Sequence, residues 1–552
     1  MRIAIVLGCS VLLPRLLFAQ GIPTALRPDI VVEHYMEVRP NVARLAFDPL
    51  SQRLHYLRTN GDVYAVIDTG SDAPYDTLLH TATDHLLTDA FGIAFHDSDL
   101  FVIGNRIDQA AQLAEGILHR ARLQPNGQRV WSVAARTEPY RWGGKGHGFN
   151  NVVVSPDGQY LLLNSGSRTD HGEVQDVGGL FPGLREEPIT AKILRVPIDA
   201  NEVVLMNDEN ALANAMQLFA SGVRNTYDMA FNAAGDLFGV DNSGDHDDPE
   251  EMNWLQEGGH YGFPWAAGGN TNPTLVPGYD PVLDPLLNPG YPAAATDFYY
   301  DADFPAAPPV TLVDPLLNIG PDADRLRDPL TAGMMDASDS GAPMRSFTCH
   351  RSPLGLVFDR DSILSGDLRG DGFVLSFTPG GDTTGYSVIA PWGIPVVPAD
   401  PSEDLLHLEL NYDEDVNDYT FSATRIAAGF YLPVDAELVG NVLYVVENWG
   451  SIQRSIWKVT MPLFSSVNEL DQSDLGTLKL WPVPTNDAVH WSFKDSGSVD
   501  VEVIDLDGRI LYATRTQRSG DGLSVVGLPA GVYALRVTGT TRSEVARFIV
   551  AR

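Results

Sequence analysis

One phrase recurs along this chain and limits what it can become: an apolar run, a turn built on Asp, Gly or Asn, a second apolar run, then a polar loop. Copies open at Ala43 (ARLAFDPLSQRLHYL), Phe91 (FGIAFHDSDLFVIGN), Asn150 (NNVVVSPDGQYLLLNS), Tyr227 (YDMAFNAAGDLFGVD), Leu354 (LGLVFDRDSILSGDL) and Val434 (VDAELVGNVLYVVEN). The runs are short and rich in β-branched and aromatic residues, and the turns between them carry the residues that hairpins need. Helical periodicity is scarce, with Asp208 to Ala220 the best candidate helix. One hairpin unit cannot bury its own faces, so repeated units must stack, and radial stacking leaves few open edges. The expected fold is all-β: a six-bladed β-propeller over residues 29–464. A long insertion over about 266–345, rich in Pro, Asp and Gly, is expected to be an ordered excursion across one face.

Composition narrows the function. The chain holds 37 Lys and Arg against 72 Asp and Glu, a formal net charge of -35. Phosphate would be repelled, so nucleic acid is excluded as a partner. Arg2 followed by the mostly apolar Ile3 to Phe18 and by Leu17-Phe18-Ala19 reads as a signal peptide over residues 1–19. No other stretch approaches the ~18 apolar residues of a transmembrane helix. The two cysteines are Cys9, inside the leader, and Cys349, so the exported chain has no internal disulfide framework. After Phe464 the composition changes: 465–479 reads as a linker. Residues 480–552 carry a separate set of alternating strands (VHWSF, VDVEVIDLDGRILYA, VYALRVTG, VARFIVA), expected to form a small β-sandwich.

Two resemblances add to this. Trp481-Pro482-Val483-Pro484-Thr485, Ile504-Asp505-Leu506-Asp507-Gly508-Arg509 and Gly527-Leu528-Pro529-Ala530-Gly531-Val532-Tyr533 occur in the order of a type IX secretion sorting domain, which the C-terminal segment resembles. The resemblance implies the type IX secretion machinery as a partner and a secreted or cell-surface location. The larger part resembles the soluble glucose/sorbosone dehydrogenases. Three stretches carry this likeness: Gly146-His147-Gly148-Phe149-Asn150-Asn151, Gly222-Val223-Arg224-Asn225 through Gly259-His260-Tyr261-Gly262-Phe263-Pro264, and His350-Arg351-Ser352-Pro353-Leu354-Gly355-Leu356. That family implies pyrroloquinoline quinone and Ca2+ as cofactors, a sugar as substrate and an external electron acceptor.

The repeat places polar residues at equivalent positions around one mouth, the default location of a site. Oxidising a sugar hemiacetal needs a base for the hydroxyl proton, and no side chain accepts the hydride, so a cofactor must. By resemblance His147 is the catalytic base. Arg224, Asn225, Tyr227, His350 and Arg351 are the expected cofactor contacts. Ser243, Gly244 and Asp245 are the expected calcium site, in a loop with six carboxylates between Asp241 and Glu251. The chain departs from the family at several places. Gly166 stands where the family has the Asp that orients the base. Tyr227 replaces a Gln, and Phe377 to Gly381 offers no clear counterpart of the fifth-blade Lys. Two other classes therefore stay open: a non-catalytic propeller that binds glycans or proteins, and a calcium-dependent lactonase in which the acidic loop holds a metal that activates water.

Overall fold

The computed structural model describes residues 22–143, 146–287, 297–328, 333–380, 400–447, 454–464, 478–481, 485–493, 498–505, 509–516, 522–539 and 543–551. The leader, most of the linker, Pro482 to Pro484 and Leu506 to Gly508 lie outside them. The chain divides into two compact units after Phe464.

In the first unit each repeated phrase forms the first hairpin of an antiparallel sheet. The first sheet runs Val42–Asp48, Arg53–Arg58, Val63–Ile67, Tyr75–His80, and the second Ala90–His96, Asp99–Asp108, Leu113–Leu123, Arg129–Thr137. The third contains Val152–Val154, Tyr160–Ser165, Lys192–Pro197 and Leu218–Ser221. The fourth has three strands, Thr226–Phe231, Leu237–Asp241 and Glu251–Leu255. The fifth is built on Pro353–Phe358, Gly372–Ser376, Asp404–Asp413 and Asp418–Ala428, and the sixth on Pro433–Val439, Val442–Glu447 and Ser455–Thr460. The sixth sheet takes its outermost strand from the other end of the chain: Val31–Glu37 pairs antiparallel with Ser455–Thr460. The repeated phrase gives no hint of this closure.

The first strands neighbour one another in chain order, and the sixth returns to the first. Apolar clusters fill the spaces between successive sheets. Phe101, Ile103 and Leu118 pack on Val152 and Leu161, and Phe238 and Val240 on Leu356 and Phe358. Leu375 and Leu405 pack on Leu443 and Val445, and Met36 and Val42 on Val434 and Val446. The inner strands therefore bury both faces, which is why their residues read as near-continuous apolar runs.

The ladder between first and second strands slips at the same place in four sheets, after Val42, Ala90, Thr226 and Pro433, and one residue further on in the fifth, after Leu354. A bulge re-aims the side chains that flank it. Here Ala43, Phe91, Tyr227 and Val434 go to the mouth at the starts of the strands, and the next residues, Arg44, Gly92, Asp228 and Asp435, sit one layer deeper.

One expectation needs correction. The helix spans only Glu209–Asn214, capped by the Asp208 side chain on the Ala211 N–H. Leu218–Ser221 is a strand on the edge of the third sheet, because pairing with Lys192–Leu194 outweighs local helix propensity. The acidic segment from Asp241 to Glu251 is mostly buried. Asp241, His246, Asp247, Asp248, Glu250 and Glu251 are buried, and the insertion covers them. Arg327 and Asp284 of that insertion meet Asp247 and His246, and the Phe298 ring stacks against His171 and His246.

The second unit holds a three-stranded sheet (Lys479–Trp481, Ala488–Ser492, Gly522–Ser524) and a four-stranded one (Ile510–Thr516, Val499–Ile504, Gly531–Thr538, Ser543–Val550). Val489, Trp491, Val501, Leu535 and Phe548 form their shared core.

Candidate functional site

The mouth at the starts of the first strands opens into a cavity of about 570 Å³, a ligand-sized volume. Its polar lining is Asn41, Thr59, Asn225, Asn242 and Ser352; its aromatic lining is Phe91, Tyr227 and Phe377. None of these side chains carries a charge at neutral pH. The amides are held in place from behind. Asn225 Oδ1 accepts from Asn150 Nδ2 at 3.1 Å, and Asn242 Oδ1 accepts from the Ser352 hydroxyl.

Of the expected site residues, only Asn225 and Tyr227 line this pocket. His147 donates its backbone N–H to Ser167 O at 2.7 Å and places Nδ1 3.3 Å from Ser167 Oγ. The Ser167 hydroxyl gives its one hydrogen to Thr169 O at 2.7 Å, so Nδ1 is the donor to Oγ and Nε2 keeps the lone pair. Burial, then the nearby Arg224 charge, depress the imidazole to about 3, which leaves it neutral at any ordinary pH. No carboxylate holds its Nδ1. The Gly166 backbone lies directly against His147, and a Cβ there would collide with the His147 Cβ. The orienting Asp of the resembled family therefore has no room at that position.

Arg224 is buried, and four hydrogen bonds engage its guanidinium. Nε donates to Asp170 O (2.7 Å), Nη2 to Asp170 Oδ1 (2.7 Å), and Nη1 to Asn242 O (2.8 Å) and Ser243 O (2.9 Å). Asp170 loses solvent, yet the Arg224 charge holds its carboxyl well below the usual range. The expected calcium ligands gather around this same pair. Ser243 O accepts from Arg224, a Cβ on Gly244 would lie 2.8 Å from Asp170 Oδ2, and the Asp245 N–H donates to Asp170 Oδ2 at 3.1 Å.

His350 and Arg351 belong elsewhere. His350 Nε2 contacts Asp247 Oδ1 at 2.7 Å, and that carboxylate raises the imidazole against the effect of its burial. Arg351 forks onto Asp404 with two 2.7 Å bonds and reaches Asp400 Oδ2 at 2.7 Å. Arg425 shares the same carboxylates. These residues tie the entry of the fifth sheet to its outer strands and do not line the pocket.

Sequence reasoning missed the residues at the axis. Arg44 Nη1 lies 3.1 Å from Asp435 Oδ1 and 3.4 Å from Asp228 Oδ2; its other nitrogens reach Phe91 O, Asn150 O and Tyr227 O. The guanidinium also stacks 4.1 Å under the Tyr227 ring. A signal was present: Arg44, Gly92, Asn151, Asp228, Gly355 and Asp435 each stand three residues before Phe47, Phe95, Val154, Phe231, Phe358 and Leu438. Polar residues or glycine recur at one position inside otherwise apolar strands. Below this layer a second cavity of about 740 Å³ opens, lined by Asp228, Asp435, Glu437, Phe47, Phe95, Phe231 and Phe358.

Comparison with known proteins now gives the relationship. Residues 95–306 match the Glucose / Sorbosone dehydrogenase family model, and residues 479–551 match the Secretion system C-terminal sorting domain. The chain carries a glucose/sorbosone dehydrogenase domain and a type IX sorting domain. The dehydrogenase match spans the strands that position His147, Arg224, Asn225 and Tyr227. No curated protein matches the chain. Similar solved structures include the apo soluble aldose sugar dehydrogenase of Escherichia coli (13% identity, 78% of this chain and 99% of that one, TM-score 0.47). Another is the quinone-bound aldose sugar dehydrogenase of Streptomyces coelicolor (14%, 79% and 99%, 0.42). A third is the holo pyranose dehydrogenase quinone domain of Coprinopsis cinerea (12%, 80% and 97%, 0.47). Among the described residues no helix is long and apolar enough to cross a membrane.

A quinone with three carboxylates needs unengaged cations, and a calcium bound beside it needs unengaged oxygens. The described residues do not fit that pair. Arg224, Arg351 and Arg425 are each committed to buried carboxylates, Ser243 O is taken by a guanidinium, and Phe377 contributes an aromatic ring to the mouth.

Proposed function

We propose that this protein is an exported, sugar-handling member of an oxidoreductase family: a six-bladed β-propeller over residues 29–464, a linker, and a sorting β-sandwich over 480–552. A sugar occupies the axial pocket. The dehydrogenase match over residues 95–306 carries this reading, because it supports a sugar as the ligand class and covers Asn225 and Tyr227. The lining supports it: amides and hydroxyls can donate to and accept from sugar hydroxyls, while Phe91, Tyr227 and Phe377 offer faces to the sugar's C–H surface. The test is calorimetric titration of the purified chain with D-glucose, D-galactose and maltose. Saturable heat that falls in Asn225→Ala supports the reading; three empty titrations sink it.

A second reading, oxidation of an aldose to its lactone with pyrroloquinoline quinone and Ca2+, draws on the same match and on His147, whose Nε2 keeps a free lone pair. A base taking a hydroxyl proton contributes about 10²–10⁴ in rate. The measurement is reduction of a dye acceptor after supplying quinone, calcium and sugar. Turnover that drops by that order in His147→Gln supports oxidation; no turnover, or a variant equal to the parent, rejects it.

A further inference from the structure

We infer that the buried Arg224–Asp170 pair has taken over both contacts that a quinone and its calcium would need, so the axial pocket binds its sugar without either group. This rests on the sugar reading above. The guanidinium of Arg224 has five N–H groups. Four bonds from it end on Asp170 O, Asp170 Oδ1, Asn242 O and Ser243 O, all between 2.7 and 2.9 Å. The place a quinone carboxylate would take on this guanidinium is already filled, because Asp170 is the anion there, and both side chains are only about 10% exposed. The place calcium would take on Ser243 O is filled too, because Arg224 Nη1 donates to that oxygen. Calcium at its usual 2.3–2.6 Å from a carbonyl would stand against a fixed positive charge.

The backbone reinforces the arrangement. The Asp245 N–H closes on Asp170 Oδ2 at 3.1 Å, and Gly244 packs against the same oxygen too closely for a side chain. The Arg224 and Asn225 N–H groups anchor on the Asp241 carboxylate, the first at 2.7 Å. Turning Arg224 towards an outside carboxylate would leave Asp170 buried without its cation. Among the described residues the pocket above this layer has a neutral lining, which suits a polyol and offers a tricarboxylate no cation.

The experiment is equilibrium dialysis of the purified full chain against about 100 µM pyrroloquinoline quinone and about 1 mM Ca2+, concentrations that fill any micromolar site. Retained quinone is read by absorbance, and the sugar titrations are run on the same preparation. The wild-type chain should retain no quinone above the blank, and sugar heats should be the same with and without it. Asp170→Asn, which frees the guanidinium, should raise quinone retention at least tenfold. Arg224→Lys keeps a charge beside Asp170 but withdraws the fork from Ser243 O, and should raise calcium uptake at least tenfold; it serves as the second variant if Asp170→Asn does not fold. Stoichiometric retention by the wild type overturns the inference, and so does a folded variant that gains nothing. Empty sugar titrations overturn the sugar reading alone, whichever way the dialysis goes.

Discussion

The two ends of the space between the first strands differ in a way that separates recognition from scaffold. At the starts of the strands the lining is neutral: amides, hydroxyls and three aromatic rings around about 570 Å³. Towards their ends the lining holds Asp228, Asp435 and Glu437 around about 740 Å³, with Arg44 between the two. The first strands of five sheets reach both. In four of them the bulge sends one residue to the mouth and the next to the axis, so a single sequence step separates an uncharged pocket from a charged layer. Charge is used here to join the sheets, and the mouth is left for a ligand that carries none.

The largest effect should come from removing the cation that joins the sheets. Arg44→Met leaves Asp228 and Asp435 buried without their countercharge, a change that costs about 3–5 kcal/mol. Urea denaturation should show it. A loss below about 1 kcal/mol would mean that the axial layer is not what holds the ring, and the contrast between the ends would lose its structural meaning.

The charged end should also set the pH response. Burial raises Glu437 to about 8 and Asp435 to about 7, so the folded state holds protons that the unfolded chain has released. With more protons bound in the folded state, stability falls as pH rises from about 4.5 to 8. Glu437→Gln should flatten that slope in denaturation midpoints taken across the window. The buried histidines act in the opposite direction. Burial lowers His55 and His119 to about 4, so the unfolded state binds more protons below 6.5 and stability falls as pH drops from 6.5 to about 4. A variant with the parent's slope between pH 5 and 8 would remove Glu437 from the account.

At the neutral end the expected effect is smaller. Asn225→Ala removes one or two uncharged hydrogen bonds to a sugar and should weaken binding about tenfold, or ~1.4 kcal/mol, with little change in stability. An equal effect from Glu437→Gln would put the sugar at the wrong end. The smallest effect is expected from separating the units. Cleavage after Phe464 should leave sugar binding and the axial pH response unchanged; calorimetry and denaturation on the isolated first unit check it. A fragment that unfolds would show that the sorting unit supports the ring.

Much of the fold was legible because it is local. Val42–Asp48 or Val442–Glu447 reads as a strand from its own residues, and the turn between two such runs from its Asp or Gly. The closure by Val31–Glu37 was not legible, since that strand's partner lies more than 400 residues away. The site was legible in its residue types but not in its pairings. Arg224 and Arg351 read as available cations because sequence shows a guanidinium and not what stands beside it. The carboxylates of the Asp241 to Glu251 segment read as a calcium loop because the insertion that packs on Asp247 and His246 begins only after they end.

What the sequence by itself determined is the repeat, the alternation of buried and turn residues, the second unit and the residue types at Asn225 and Tyr227, which it read as cofactor contacts. Each of these depends on a residue and its near neighbours. Only the tertiary structure decided which charges cancel. Arg44 meets Asp435 across 391 positions and Arg224 meets Asp170 across 54. A buried charge must find a partner wherever the fold brings one within about 3 Å, because an unpaired charge out of water costs several kcal/mol. That requirement is met in space, between sheets, and leaves no local mark on the chain.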